Sequence, residues 1–221
     1  MKTILFPIWL AVVSVQVQAQ TDLLFSGKER APFAVVTSEE IYLGKRSLKV
    51  VDNGGDSEIK FVKLAGLDFK NGIIELEVAG KPSATAGEGA RGFVGAAFRI
   101  APDNSTFECL YLRPTNGRAE DQVRRNHSVQ YISYPEFPWY KLRQNFPEKY
   151  ESYVDLVPGE WTKIRIEVQG EKAKLYVHGS TQPVLLVNDL KHGAESHGAI
   201  GLWIGPGTEA HFANLSVTKM N

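Results

Sequence analysis

The sequence predicts an all-β protein of antiparallel strands arranged as a sandwich or barrel. Three observations lead there. Short runs of β-branched and apolar residues alternate with polar ones at period two along most of the chain. Glycine, proline, aspartate and asparagine punctuate between them, in "DNGGD", "APDN", "PGE", "QGEK" and "GPG". No run of ten or more residues keeps a helical period.

The chain opens with "MKTILFPIWLAVVSVQVQAQ". Lys2 supplies a positive charge, Ile4 to Val15 an apolar run, and "VQA" the small residues that a signal peptidase reads. Residues 1–19 are expected to be a secretory signal peptide cut after Ala19, leaving residues 20–221 as one domain in a secreted or periplasmic location. The apolar run is too short to span a bilayer, and no other segment is expected to span one.

Strands are then predicted at "SLKVV" (47–51), "EIKFVKL" (58–64), "GIIELEVAG" (72–80), "GFVGAAFRI" (92–100) and "TFECLYLRP" (106–114). "SVQYISY" (128–134), "WTKIRIEVQ" (161–169), "AKLYVHG" (173–179), "GAIGLWIG" (198–205) and "AHFANLSVT" (210–218) complete the set. The cleanest signal is a hairpin across "QGEK". Ile164, Ile166 and Val168 face one way and Lys163, Arg165 and Glu167 the other; the second arm sets Ala173, Leu175 and Val177 against Lys172, Lys174 and Tyr176. "GAIGLWIG" and "GFVGAAFRI" are apolar or small on both faces, so they are expected to be central, with Gly95, Ala97 and Gly201 leaving room on the outer side for a ligand.

The 221 residues suffice for one domain with a full core. Lys+Arg and Asp+Glu balance at 25 each, which leaves no basic footprint for nucleic acid. The single cysteine, Cys109, excludes an intramolecular disulfide and reads as a buried strand thiol. No histidine spacing suggests zinc. "DNGGD" (52–56) has oxygens to offer calcium but lacks the spacing of a dedicated loop, and reads as a turn; no cofactor is expected.

Residues 114–160 break the pattern: proline-punctuated, aromatic and arginine-rich, they form a long covering insertion. Two readings fit it. In one, residues 113–140 are the roof and rim of a ligand groove; in the other, they are a self-packed cover tied by Glu120 and Asp121 to Arg124 and Arg125. Saccharides favour the first, because flat apolar faces edged by hydroxyls call for an aromatic plane beside planar donors. The substrate-binding candidates are Arg99, Arg113, Asn116, Arg118, Arg125, Tyr131 and Trp139, with Trp139 beside Tyr140 in "FPWYK" as the stacking plane or else as core packing of the cover. Arg99 and Arg113 end strands joined by a hairpin through "APDNS" and are expected to floor the groove, or else to be solvated strand-end charges. His127 is the candidate for acid–base work, against a structural or surface histidine.

The order "GIIELEV", "GFVGAAFRI", "FECLYLRP", "WTKIRIEVQGEKAKLYVHG", "GAIGLWIG" and "AHFANLSV" resembles the concanavalin A-like lectin/glucanase jelly roll over about residues 40–218. Within that fold it is similar to secreted bacterial laminin-G-like and 3-keto-disaccharide hydrolase-like domains. The resemblance implies a two-sheet antiparallel jelly roll that binds a saccharide and, in a glycoside hydrolase-like role, cleaves it; the alternative is a non-catalytic lectin-like or laminin-G-like interaction module. It also implies a catalytic role for Glu108, which matches a glutamate in the strand after the "FR" strand. The chain departs from laminarinase-type enzymes at "IELEV", where Glu75 and Glu77 have no third carboxylate in step.

The exported protein is expected to begin near Gln20. N-terminal sequencing of mature material checks this, and retention of Met1 or Lys2 contradicts it.

Overall fold

The computed structural model describes residues 22–220, so the signal-peptide expectation lies outside the described residues. In chain order the strands are β1 (Arg30–Phe33), β2 (Val35–Tyr42), β3 (Lys45–Asp52), β4 (Phe61–Phe69), β5 (Asn71–Pro82), β6 (Val94–Ile100) and β7 (Phe107–Leu112). After a short helix α1 (Gln122–Asn126) come β8 (Val129–Tyr134), helix α2 (Trp139–Asn145), β9 (Glu151–Ser152), β10 (Thr162–Gln169), β11 (Lys172–Val177), β12 (Leu185–Val187), β13 (Gly198–Ile204) and β14 (Thr208–Met220). They form two seven-stranded antiparallel sheets, β1-β4-β13-β6-β7-β8-β9 and β12-β11-β10-β5-β14-β3-β2. This is the predicted two-sheet jelly-roll sandwich.

Period-two alternation decides what each strand buries. In the hairpin β10–β11, Ile164, Ile166 and Val168 pair with Val177, Leu175 and Ala173, and all six are buried. Gly170 takes φ 56° in the turn between them. The first sheet contributes Val94, Ala96, Phe98, Leu110, Leu112, Val129 and Leu202 to the same core. The alternate residues of that sheet form a second apolar layer on its outer face, with Phe61, Ala97, Cys109, Tyr111 and Trp203. That layer accounts for the two-sided apolar character of "GFVGAAFRI" and "GAIGLWIG". Cys109 is fully buried there, and burial pushes its thiol well above the ordinary range.

The small residues do not open a ligand hollow, contrary to the sequence expectation. A Cβ on Gly95 would lie 2.2 Å from the Leu110 carbonyl oxygen and 2.7 Å from the Tyr111 Cβ, and one on Gly201 2.8 Å from Ile100 Cδ1. The room they leave is filled by β7 and by neighbouring side chains.

The hairpin β6–β7 forms through "APDNS" as expected, in the register Val94↔Leu112 to Phe98↔Glu108. That register separates the two arginines expected to lie together. Arg99 follows Phe98 at the turn end, whereas Arg113 follows Leu112 at the other, six residues and about 20 Å away at about 3.4 Å per residue. Arg99 is 1% exposed and donates to the carbonyls of Lys70, Gly170 and Gly193, tying three loops at one end of the sandwich.

Phe212 of β14 is fully buried in the core between the sheets. Phe212→Ala is expected to cost about 3–5 kcal/mol in urea unfolding; a loss below about 1 kcal/mol contradicts this packing.

Candidate functional site

The candidate site is built where β7 runs into β8. After Leu112 the chain turns through a 3₁₀ helix, Pro114–Asn116, whose proline needs no amide donor at the first turn. Asp121 caps α1 by accepting from the Arg124 backbone N–H at 2.6 Å. Arg113 N–H donates to the Ser128 carbonyl at 2.7 Å, closing the segment. These local contacts bring Arg113, Asn116, Arg124 and His127 to one corner.

A cross-strand row holds the corner from beneath. Tyr111, Gln130 and Glu151 are register partners on β7, β8 and β9. The Arg113 guanidinium reaches over all three, donating to the Tyr111 hydroxyl (3.0 Å), Gln130 Oε1 (3.0 Å) and Glu151 Oε1 (2.9 Å), and also to the His127 carbonyl (3.2 Å). Arg113 and Glu151 are almost wholly buried, so this is an ion pair removed from water. Arg143 of α2 closes on the same carboxylate, with Nε donating to Oε2 at 2.9 Å and Nη2 to Oε1. The Arg143 guanidinium lies 4.8 Å from the centre of the Trp139 ring and that of Arg113 5.7 Å, so the indole is seated on two cations.

Above this row lies a pocket of about 520 Å³, into which Arg91, Arg113, Arg124, His127, Trp139 and Arg143 face, with Asn116 and Asp121 also in its wall. Arg91 and Phe93 reach it from the loop before β6. Gly92 sets that loop: its φ is 69°, and a Cβ there would come 2.7 Å from Lys81 Cα. The Thr115 N–H donates to the Arg91 carbonyl at 3.2 Å and ties the loop to the 3₁₀ helix. A smaller hollow of about 200 Å³ adjoins on the outer face of the first sheet, walled by Tyr111, Tyr134, Tyr140 and Trp203. Phe93 and Trp139 are common to both.

Charge in the corner is fixed by these contacts. Burial alone would raise the Glu151 carboxyl, but hydrogen bonds from Arg143 and Arg113 outweigh it and hold the group below its ordinary range. Glu151 is therefore an ionised anchor. Burial lowers the His127 pKa, the Glu151 charge opposes this, and Arg143 and Arg113 add to the lowering. The imidazole facing the pocket is thus neutral at neutral pH, with Nε2 3.5 Å from Glu151 Oε2.

Of the predicted site residues, the structure brings Arg113, Asn116, His127 and Trp139 together. Arg99, Glu108 and Tyr131 lie elsewhere. Glu108 shares its face of β7 with the core residues Leu110 and Leu112, and it is fully buried, accepting from the Tyr131 hydroxyl (2.5 Å) and the His192 backbone N–H (2.9 Å). Glu108 and His127 therefore stand on opposite faces of the first sheet and do not form the expected pair. Arg118 points to solvent and chelates Asp155 at 2.7 and 2.8 Å. Arg125 donates to the Tyr153 hydroxyl and the Ala119 carbonyl. The sequence reading missed Arg91, Arg124, Arg143 and Glu151. Among the described residues no ion pair joins Glu120 or Asp121 to Arg124 or Arg125, so the cover is not tied as its alternative reading supposed. Asp52 of "DNGGD" is engaged by Lys60 at 2.8 Å and by the backbone N–H groups of Gly54 and Gly207.

No protein-family model matches the chain, and no curated protein matches it by sequence. Solved structures do. The carbohydrate-binding module CBM66 from Bacillus subtilis superposes with a TM-score of 0.53 at 12% identity, over 85% of this chain and 97% of that one. A candidate glycosyl hydrolase from Parabacteroides distasonis gives 0.53 at 14%, over 90% and 93%. A Bacillus subtilis protein of unknown function with a galectin-like fold gives 0.51 at 12%, over 86% and 94%. Similarity at this level is similarity of fold: the chain is a concanavalin A-like jelly-roll sandwich.

Glu151→Gln leaves two guanidiniums without their anion and is expected to cost about 3–5 kcal/mol at neutral pH. The depressed carboxyl contributes stability that is present above its ordinary value of 4.5 and is lost as the pH falls below it. Urea unfolding across this range should show a steeper acid loss in the wild type than in Glu151→Gln. Equal slopes would remove Glu151 as the anchor.

Proposed function

We propose that the chain is a secreted saccharide-binding domain that takes its ligand across the arginine-lined pocket and the adjoining aromatic hollow. One observation carries this reading. Trp139 is 44% exposed, yet its ring is held by Arg143 and Arg113 at the junction of the two hollows. A large aromatic fixed in the open, beside planar donors, matches a sugar ring with one apolar face and a hydroxyl edge. Fold analogy points the same way, since the similar structures include a carbohydrate-binding module and a candidate glycosyl hydrolase. Export rests on the charge, apolar run and small residues of the first nineteen positions.

Hydrolysis is a second reading, favoured by the neutral His127 imidazole beside Glu151 at 3.5 Å. In it His127 is the proton acceptor and Glu151 orients it; Glu151 does not serve as the acid, because two arginines hold it ionised.

A panel of neutral and acidic oligosaccharides, with product analysis, tests both readings. Trp139→Ala is expected to weaken binding about tenfold, equivalent to about 1.4 kcal/mol, with an unchanged melting temperature. Wild-type affinity in that variant places the ligand elsewhere. Products that vanish in His127→Gln would support hydrolysis.

A further inference from the structure

The pocket holds more cations than its own carboxylates neutralise. Four guanidiniums line it, from Arg91, Arg113, Arg124 and Arg143. Arg113 and Arg143 share the single anion Glu151. Among the described residues the one carboxylate in the wall is Asp121, whose Oδ1 is engaged by the Arg124 backbone N–H. Four positive charges against two negative leave a surplus of two. The whole chain balances 25 against 25, so the surplus reflects placement rather than composition.

Arg91 and Arg124 make up the surplus. Arg124 donates from Nε to Asn116 Oδ1 (2.9 Å) and from Nη2 to Thr115 Oγ1 (3.0 Å), both neutral oxygens. Arg91 donates only from Nη1, to the carbonyls of Glu88 and Ala90. Each guanidinium has five N–H groups, so both are held in place with donors to spare. The positive field is also visible on Arg91 itself, whose pKa is lowered by burial and then by repulsion from Arg124 and Arg113. Arg113, by contrast, spends both terminal nitrogens on four protein acceptors and serves to hold the floor.

We propose that this pocket takes a saccharide carrying an anionic substituent, a carboxylate or a sulfate ester, with the anion against Arg91 and Arg124 and a ring face on Trp139. The proposal rests on the saccharide-binding reading above and adds the class of sugar. A planar guanidinium holds two oxygens of such a group at once, which a hydroxyl pair matches less well. An anion also supplies the counter-charge that the pocket lacks, in a recess where water screens charge less than it does at the open surface. The aromatic hollow on the far side of Trp139, with Tyr140 52% exposed at its rim, then receives the next ring of a chain.

The test uses matched pairs that share a sugar backbone and differ in the acidic group: tetragalacturonate and its methyl ester, and a sulfated galactan oligosaccharide and its desulfated form. Affinities are measured by calorimetry at low ionic strength on the wild type, Arg91→Gln and Arg124→Gln, with melting temperatures recorded for each. Arg91→Gln is the cleaner variant, because it gives up only two bonds to carbonyls of its own loop. The acidic member of at least one pair is expected to bind tenfold or more tighter than its neutral partner, as hydrogen bonds to a charged group of about 1.5–3 kcal/mol imply. Which pair shows the preference separates carboxylate from sulfate. Arg91→Gln should cut the preference for the acidic member at least tenfold while leaving the melting temperature unchanged. Equal binding within both pairs, lost in Trp139→Ala, overturns the acidic preference and leaves saccharide binding standing. A preference that survives both arginine variants overturns its assignment to this pocket. Absence of binding to any pair or to the neutral panel removes the saccharide reading and this inference with it.

Discussion

The candidate site depends on one buried anion. Glu151 has been taken out of water on β9, where an unpaired carboxylate would be prohibitive. It is tolerated because Arg113 and Arg143 converge on it from different elements, one at the end of β7 and the other on α2. The same pairing fixes both guanidiniums, and these in turn seat the Trp139 ring. The open aromatic, the pocket wall and the neutral His127 therefore share one electrostatic support. A cover tied through Glu120 and Asp121, both exposed, would bury no charge. This one is built on charges that are costly to bury and that leave cations lining a hollow.

Most of the fold was legible because burial follows period two wherever a strand has one wet face. The hairpin β10–β11 shows this best: every residue assigned to its inner face is in the core. Strands β1, β2, β9 and β12 were not legible. β2 is an edge strand whose Ser38–Ile41 stretch is exposed throughout, so it has no face to bury and gives no periodic signal. The helices of five and seven residues are too short to show a 3.6-residue repeat, and α1 buries none of its residues.

Legibility of the site divides by mechanism. Arg113, Asn116, His127 and Trp139 lie within one composition-marked segment, and local chemistry suffices to single them out. Arg91 lies outside it and is brought in by a loop that Gly92 shapes, and Glu151 near its far end is brought in by strand register, which a linear reading does not resolve; Arg124 and Arg143 lie within it, where nothing in the sequence sets them apart from its other arginines. The error over Glu108 has the opposite origin. Its strand alternates cleanly, but a buried glutamate and an outward one give the same sequence pattern until the partner is known, and the partner proved to be Tyr131, 23 residues away. Arg99 was misplaced by treating the C-terminal ends of two consecutive strands as neighbours, whereas an antiparallel hairpin sends them to opposite ends of the pair.

The central claim is that the Glu151-anchored corner, rather than the core-facing Glu108 and Tyr131 or the charged outer face of the second sheet, is where this protein meets its ligand. A crystal structure of the complex with the tightest-binding oligosaccharide of the panel tests it most directly. The account predicts a sugar ring against the Trp139 indole, with a polar or charged substituent within hydrogen-bond reach of Arg91 or Arg124. A ligand seated on the second sheet, or at the end of the sandwich where Arg99 ties its loops, would contradict it.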